Sequence, residues 1–154
     1  MIIGVDPGKT GGITVLYNNN CDVDPMPETM KDIHDFFLTL KTICTIEGDK
    51  DPVCYIEKVN CDPRWGAKQN WQFSANFHCL KMALISNKIR LIQVTAKEWQ
   101  KKVGLVYPEK ITSIKKKKMG KALAQELFPD KMVDVETADS MLIAYYGSLC
   151  EREQ

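Results

Sequence analysis

Ile2-Ile3-Gly4-Val5-Asp6-Pro7-Gly8-Lys9-Thr10-Gly11-Gly12-Ile13-Thr14-Val15-Leu16-Tyr17 decides the fold of this 154-residue chain. Ile2, Ile3 and Val5 form a short apolar run of β-forming residues, closed by Pro7-Gly8 and Gly11-Gly12, which are turn residues. Ile13 to Tyr17 is β-branched and aromatic, as a returning strand requires. The stretch therefore reads as two strands joined by a tight turn. Asp6 stands where the apolar run ends. A carboxylate buried there unpaired costs several kcal/mol. Backbone N–H groups of the glycine-rich turn would compensate, and so would a metal ion. Asp is also common in turns for purely local reasons, so the stretch alone leaves both readings open.

Outward from the hairpin, Asn18-Asn19-Asn20 is a turn and Cys21 to Asp24 a third strand ended by Pro25 and Pro27. Thr29 is a helix N-cap. Ile33, Phe36, Phe37, Leu40, Ile43 and Cys44 recur at helical spacing, which predicts an amphipathic helix over 30–45. Val53 to Val59 is the next strand. On it Val53, Tyr55 and Glu57 share one face by the period of two, so Glu57 need not face solvent. A polar loop from Asn60 to Asn70 interleaves Arg64, Trp65 and Lys68, a pattern suited to stacking on unpaired bases and to phosphate contacts. Trp71 borders the following helix, residues 70–86, and is expected to pack. Trp65, beside Arg64 and Gly66, is the expected nucleic-acid contact. The apolar side of that helix is Phe73, Phe77, Leu80, Leu84 and Ile85. Arg90 to Val94 is a strand. Thr95-Ala96-Lys97-Glu98 is a capping box that opens a helix carrying Trp99, Lys101 and Lys102. Gly104 to Pro108 breaks it. Ile111 to Leu127 is a long helix with Lys115, Lys116, Lys117, Lys118 and Lys121, stopped at Phe128-Pro129-Asp130. A last helix follows Val135 to Ser140. Glu136 and Asp139, three apart, are expected on one face at its N-terminus, where the macrodipole favours negative charge.

The length suits one domain, residues 1–154, with one proper core. A composition 44% hydrophobic and 27% charged is that of a globular protein. No apolar run is long enough to span a bilayer. The early Asp6 and the lack of a basic leader argue against a signal peptide, so the expected location is the cytoplasm. Six cysteines (Cys21, Cys44, Cys54, Cys61, Cys79, Cys150) contain no Cys-x-x-Cys pair, and two histidines complete a poor zinc set. These cysteines are expected to be free thiols, several of them in the core. The net charge of +1 hides a strong asymmetry, −5 over residues 1–60, +11 over 61–121 and −5 over 122–154. A cationic block between acidic ends points to a polyanion partner and a divalent metal. Solvated charged faces are the plainer reading, and the favoured one for the four-lysine run by itself.

The ordered set of pieces resembles the RuvC-type Holliday-junction resolvases of the ribonuclease H-like superfamily, in the short form found in bacteriophages and some bacteria. The matching pieces are Ile3 to Lys9 with Gly11-Gly12, Tyr55-Ile56-Glu57-Lys58-Val59, Thr95 to Trp99 with its lysines, Lys117 with Ala122 to Pro129, and Ala138 to Gly147. The resemblance implies an α/β ribonuclease H-like fold: a mixed central sheet, antiparallel in its first three strands and then parallel, flanked by helices. It implies a structure-selective, Mg²⁺-dependent endonuclease that cuts four-way or other branched DNA, serving recombination, repair or phage genome processing. It further implies two Mg²⁺ ions about 4 Å apart, with Mn²⁺ as a substitute and no organic cofactor. Asp6, Glu57, Glu136 and Asp139 would be the acidic ligands, and Lys117 would approach the scissile phosphate. Asp134 rivals Glu136, because many relatives carry Asp or His at the fourth place. Lys118 or Lys101 rivals Lys117. The DNA face would comprise Arg64, Trp65, Lys68, Lys101, Lys102, Lys115, Lys116, Lys118 and Lys121. Symmetric junction cleavage needs two sites on a two-fold axis, so a homodimer is implied, with the helix over 70–86 as candidate interface. The alternative is a short ribonuclease H-like nuclease acting on ribosomal RNA, which would not predict the ending Leu142 to Gly147. An actin-like sugar or acetate kinase shares the Asp–Gly turn but needs two such domains. A non-catalytic DNA-binding module is at odds with four occupied acidic positions.

Overall fold

The computed structural model describes residues 1–49, 51–60 and 62–153; Cys61 lies outside them. β1 (Ile2–Asp6) and β2 (Gly12–Tyr17) pair antiparallel, with Asp6 opposite Gly12. β3 (Asn20–Pro25) returns antiparallel to β2, with Tyr17 opposite Asn20. That register leaves a two-residue loop in which Asn18 and Asn19 have φ 47° and 66°. Asn tolerates this left-handed backbone, which matches the twist of a hairpin.

Beyond the hairpins the sheet turns parallel. β4 (Val53–Glu57) lies beside β1, and β5 (Arg90–Val94) beside β4, giving the order β3-β2-β1-β4-β5. The crossovers carry α1 (Met30–Glu47) and α2 (Ala67–Ser86). α3 (Ala96–Lys102), α4 (Ser113–Leu127) and α5 (Ala138–Arg152) complete the chain. This is the expected mixed α/β sheet. Among the described residues no helix is long and apolar enough to cross a membrane.

The alternation of side chains along each strand sends residues to two cores. Ile3, Val5, Ile13, Val15, Cys54 and Ile56 face α1 and α2, where Ile33, Phe37, Phe77 and Leu80 meet them. Val53, Tyr55 and Cys21 face the other way, against Trp99, Leu105, Met141, Leu142 and Ile143. α5 lies directly on β1, and Gly4 permits it: a Cβ there would stand 2.3 Å from Ala144 N. The described cysteines are free, and Cys21, Cys44 and Cys54 are buried.

Thr29 and Thr95 both form the reciprocal capping box, with Asp32 and Glu98. The helix over 70–86 begins three residues earlier, at Ala67, and the one over 111–127 begins at Ser113, after the cap Thr112. Ile43 and Ile85, expected on apolar sides, are 38% and 58% exposed. Each sits at the margin of a stripe already filled, by Leu40 and Cys44 in α1 and by Leu80 and Leu84 in α2.

Two further expectations fail here. Trp71 does not pack: it is 72% exposed, while Trp65 is half-buried with its ring edge-on to Phe73 at 5.2 Å. Asn70 causes the exchange. Its side chain accepts from Asp62 N at 3.0 Å and donates to Asp62 O and Trp65 O at 3.0 and 3.1 Å. This folds the loop back and lays Trp65 on α2. Trp71 lies two residues before Phe73, about 200° round the helix, and points out. Nor do Glu136 and Asp139 share a helix face. α5 starts at Ala138, whose N–H bonds to Asp134 O at 3.1 Å, and Glu136 lies exposed on the turn before it.

Candidate active site

Three acidic residues reach one end of the sheet from three elements. Asp6 ends β1 and Glu57 ends β4, two neighbouring parallel strands, so both lie at the same carboxyl edge. By alternation Asp6 shares its face with Gly4, and Glu57 with Val53 and Tyr55, which is the α5 side. Asp139 is the second residue of α5. A buried hydroxyl pair holds that helix start in place: Thr14 Oγ1 on β2 meets Ser140 Oγ at 2.8 Å, and Ser140 Oγ donates to Thr137 O at 2.8 Å. The turn before β2 contributes a donor of its own, Gly8 N to Asp6 Oδ1 at 3.2 Å. Gly120 of α4 completes the enclosure. A Cβ on it would sit 3.3 Å from Asp139 Oδ1.

The electrostatics follow from this crowding. Burial pushes the Asp6 carboxyl above its usual range, opposed by the Gly8 N–H and the charge of Lys117. Burial pushes Glu57 up to about 7; the Trp99 indole opposes the shift, and the charges of Asp6 and Asp139 add to it. Asp139 rises to about 6, first by burial and then by Asp6, with Lys117 opposing. Tyr107 belongs to the same field: burial, then Asp139 and Glu57, push its phenol up to about 12. The carboxylates thus sense one another and one lysine. Glu136 and Asp134 are both exposed.

Among the described residues no three Asp, Glu, His or Cys side chains stand close enough, as they are turned, to enclose a metal ion. The donor set nevertheless fits one chemically. Three carboxylates burdened by burial and mutual repulsion lack positive charge, and an all-oxygen set suits a hard divalent cation such as Mg²⁺.

Beside Asp139 opens a cleft of about 360 Å³, lined by Ala96, Gln100, Tyr107, Ser113, Lys116 and Lys117. Lys116 Nζ lies 5.2 Å from the centre of the Tyr107 ring. A larger hollow, about 440 Å³, lies between the end of β3 and α1 and shares none of these residues. Its Asp24, Asp32 and Asp35 make it a poor seat for an anion.

The basic residues divide into free and engaged. Lys68, Lys101, Lys115, Lys116, Lys117 and Lys118 are exposed, and Lys121 is half-buried. Lys102 is held by Glu153 at 2.5 Å. Arg64 is held by Asp62 through Nε at 2.9 Å and Nη2 at 2.5 Å. Two residues at the site were given no role from sequence. Trp99 Nε1 donates to Glu57 Oε2 at 2.7 Å, and Tyr107 lines the cleft. Trp99 had a signal in its fixed place one turn inside a capping box. Tyr107, in a loop without periodicity, had none.

No protein-family model and no curated protein sequence matches the chain. Solved structures do. The chain is similar to RuvC of Thermus thermophilus in complex with Holliday junction substrate, with a TM-score of 0.63 at 11% identity, over 99% of this chain and 95% of that one. A second structure of Thermus thermophilus RuvC gives 0.60 at 9% identity, with the same coverage. The chain therefore has the fold of RuvC, a ribonuclease H-like fold, over essentially its whole length.

Proposed function

We propose that this protein is a metal-dependent endonuclease that cuts four-way and other branched DNA. One observation carries the reading: Asp6, Glu57 and Asp139 converge on one sheet edge, where the charge of Lys117 acts on Asp6 and Asp139, under a helix whose outer side is lysine. Asp6, Glu57 and Asp139 would hold the cation, with Glu136 the fourth candidate at the rim. Two bound Mg²⁺ ions, or Mn²⁺ in their place, would supply an activated water and neutralise the leaving 3′ oxygen. The protein's own part is separate. Gly8 N–H and Trp99 Nε1–H orient two of the carboxylates. Lys117, at the mouth of the cleft, offers its ammonium to the phosphate, and Lys116, Gln100 and Ser113 offer further donors beside it. Lys101, Lys115, Lys118 and Lys121 extend the cationic surface along which the DNA backbone would run, and Lys68 is a further exposed cation on α2.

The partner state belongs to the same reading. Trp71, Ala75, His78, Met82 and Ile85 recur along α2 at spacings of four and three, and Trp71, Met82 and Ile85 are 72%, 64% and 58% exposed. That is the spacing of a helix seam. A second copy packed there in C2 symmetry would give the paired sites that symmetric cutting of a junction needs.

The test is cleavage of a labelled synthetic four-way junction, a linear duplex and a structured RNA, each with Mg²⁺ or EDTA. The expected result is Mg²⁺-dependent cutting of the junction, with binding that weakens steeply as salt rises. Preferential cutting of the RNA would favour the ribosomal-RNA type of ribonuclease H-like enzyme instead.

A further inference from the structure

We infer that Trp99 is a positioning residue of the acidic site: its indole N–H clamps Oε2 of Glu57 and thereby fixes the direction in which Oε1 is offered to a cation. The inference rests on the reading above that Glu57 is a metal ligand.

The chain delivers the indole to that carboxylate by a short series of fixed steps. Glu57 is paired in parallel register with Val94, and Lys58 N donates to Val94 O at 2.7 Å. Thr95 follows at once and caps α3: its hydroxyl accepts from Glu98 N at 3.3 Å, and Glu98 Oε2 accepts from Thr95 N at 2.7 Å. Trp99 N then closes the first turn on Thr95 O at 3.2 Å. One turn of helix from a strand register thus brings the indole beside the end of β4. Trp99 is 0% exposed. Its N–H has no access to water and finds its acceptor in Glu57 Oε2 at 2.7 Å. An N–H held by a carboxylate is among the stronger neutral-to-charged contacts a protein makes.

A carboxylate turns easily about its last torsion, which is broad and two-fold. Fixing one oxygen fixes the other. The clamp therefore sets the direction of Oε1, the oxygen on which the indole makes no claim. Of the three acids at the site, Glu57 is the one whose carboxylate is tied to a wholly buried side chain; Asp6 has the Gly8 backbone N–H instead. Outer partners of this kind typically change metal affinity about 10–100-fold when removed.

The experiment measures Mn²⁺ binding by the loss of the free-ion signal in electron paramagnetic resonance, for the wild type, Trp99→Phe, Glu57→Gln and the double variant. Trp99→Phe keeps an aromatic ring and removes the N–H. It is expected to weaken Mn²⁺ binding about 10-fold, and to weaken it no further in the Glu57→Gln background. If Glu57→Gln weakens binding and Trp99→Phe does not, the clamp is overturned and the metal reading stands. The same loss from Trp99→Phe in both backgrounds means general packing and also overturns it. If Glu57→Gln leaves Mn²⁺ binding unchanged, the metal reading fails and takes the clamp with it. A measurement on the wild type covers the case in which Trp99→Phe does not fold. In ¹⁵N-labelled protein, Mg²⁺ is expected to move the indole signal of Trp99 more than those of Trp65 and Trp71; an unmoved Trp99 signal overturns the inference.

Discussion

On one side of the sheet, α1 and α2 cover Ile3, Val5, Ile13, Val15, Cys54 and Ile56 with large apolar side chains such as Phe37 and Phe77. On the other, α5 comes down on Gly4 and Thr14, and the strands end in Asp6 and Glu57. The first side is held by volume. The second also packs large side chains, Trp99, Met141, Leu142 and Ile143, and adds close approach of backbone and the polar pairs of Thr14 with Ser140 and Trp99 with Glu57. Filling a space with Leu, Ile and Phe tolerates many arrangements. Bringing three carboxylates from β1, β4 and α5 to one edge does not, because each direction must be set by a specific contact. The protein thus keeps a forgiving core behind an exacting one.

The sharpest way to break this contrast is at Asp6. Asp6→Asn is expected to lower junction cleavage by more than about 100-fold, beyond the loss typical of outer partners, while binding holds or tightens because one negative charge facing phosphate is gone. A cleavage time course with a binding titration in EDTA checks both. The mirror experiment is Phe37→Ala, a wholly buried ring on the forgiving side. It is expected to cost about 3–5 kcal/mol of stability by urea denaturation, with cleavage per folded molecule unchanged.

A third test sharpens the contrast through pH. Burial raises Glu57 to about 7 and Asp139 to about 6, and raises Asp6 as well. Raised carboxyls stabilise the fold when protonated. Their contribution is complete below the ordinary carboxylate range and is lost as pH climbs through about 6 and 7. In EDTA the melting temperature is therefore expected to fall between pH 5 and pH 8, on the order of 5 °C. Mg²⁺ should reverse the fall, and Asp139→Asn should flatten it. A melting curve in EDTA that stays level from pH 5 to pH 8 would contradict the crowding described at this edge.

The exacting side was only partly legible beforehand, and the reason is physical. A period of two places Glu57 with Val53 and Tyr55, so its facing could be read. Asp6 could be read from the turn that follows it. Trp99 could not be given its partner, because the indole meets Glu57 only through the pairing of β5 with β4, which no local pattern encodes. Trp65 and Trp71 were exchanged for a similar reason: the bonds of Asn70 to Asp62 and Trp65 decide which ring lies down. The three-residue spacing of Glu136 and Asp139 suggests one helix face, but the helix begins two residues after Glu136.

The smallest expected effect concerns that last residue. Glu136 lies exposed on the turn before α5. Glu136→Gln is expected to change the Mg²⁺ concentration for half-maximal cleavage by only a few-fold, less than any of the three buried acids, on the scale of a screened surface charge. Asp134→Asn, made in parallel, is expected to change it less still. A larger shift from Asp134→Asn reverses the order of the two.

The six residues from Val94 to Trp99 also govern how this chain can change length. One residue inserted there would turn the indole about 100° round α3 and aim it away from β4. One residue inserted between Pro108 and Thr112, where the chain is irregular and largely exposed past the core residue Leu105 and the cleft residue Tyr107, would add only a small increment of loop entropy. Descendants of this sequence are free to grow and shrink in the second interval and are held to a fixed count in the first. A spacing, more durable than the residues that fill it, is what a lineage drifting beyond sequence recognition would keep.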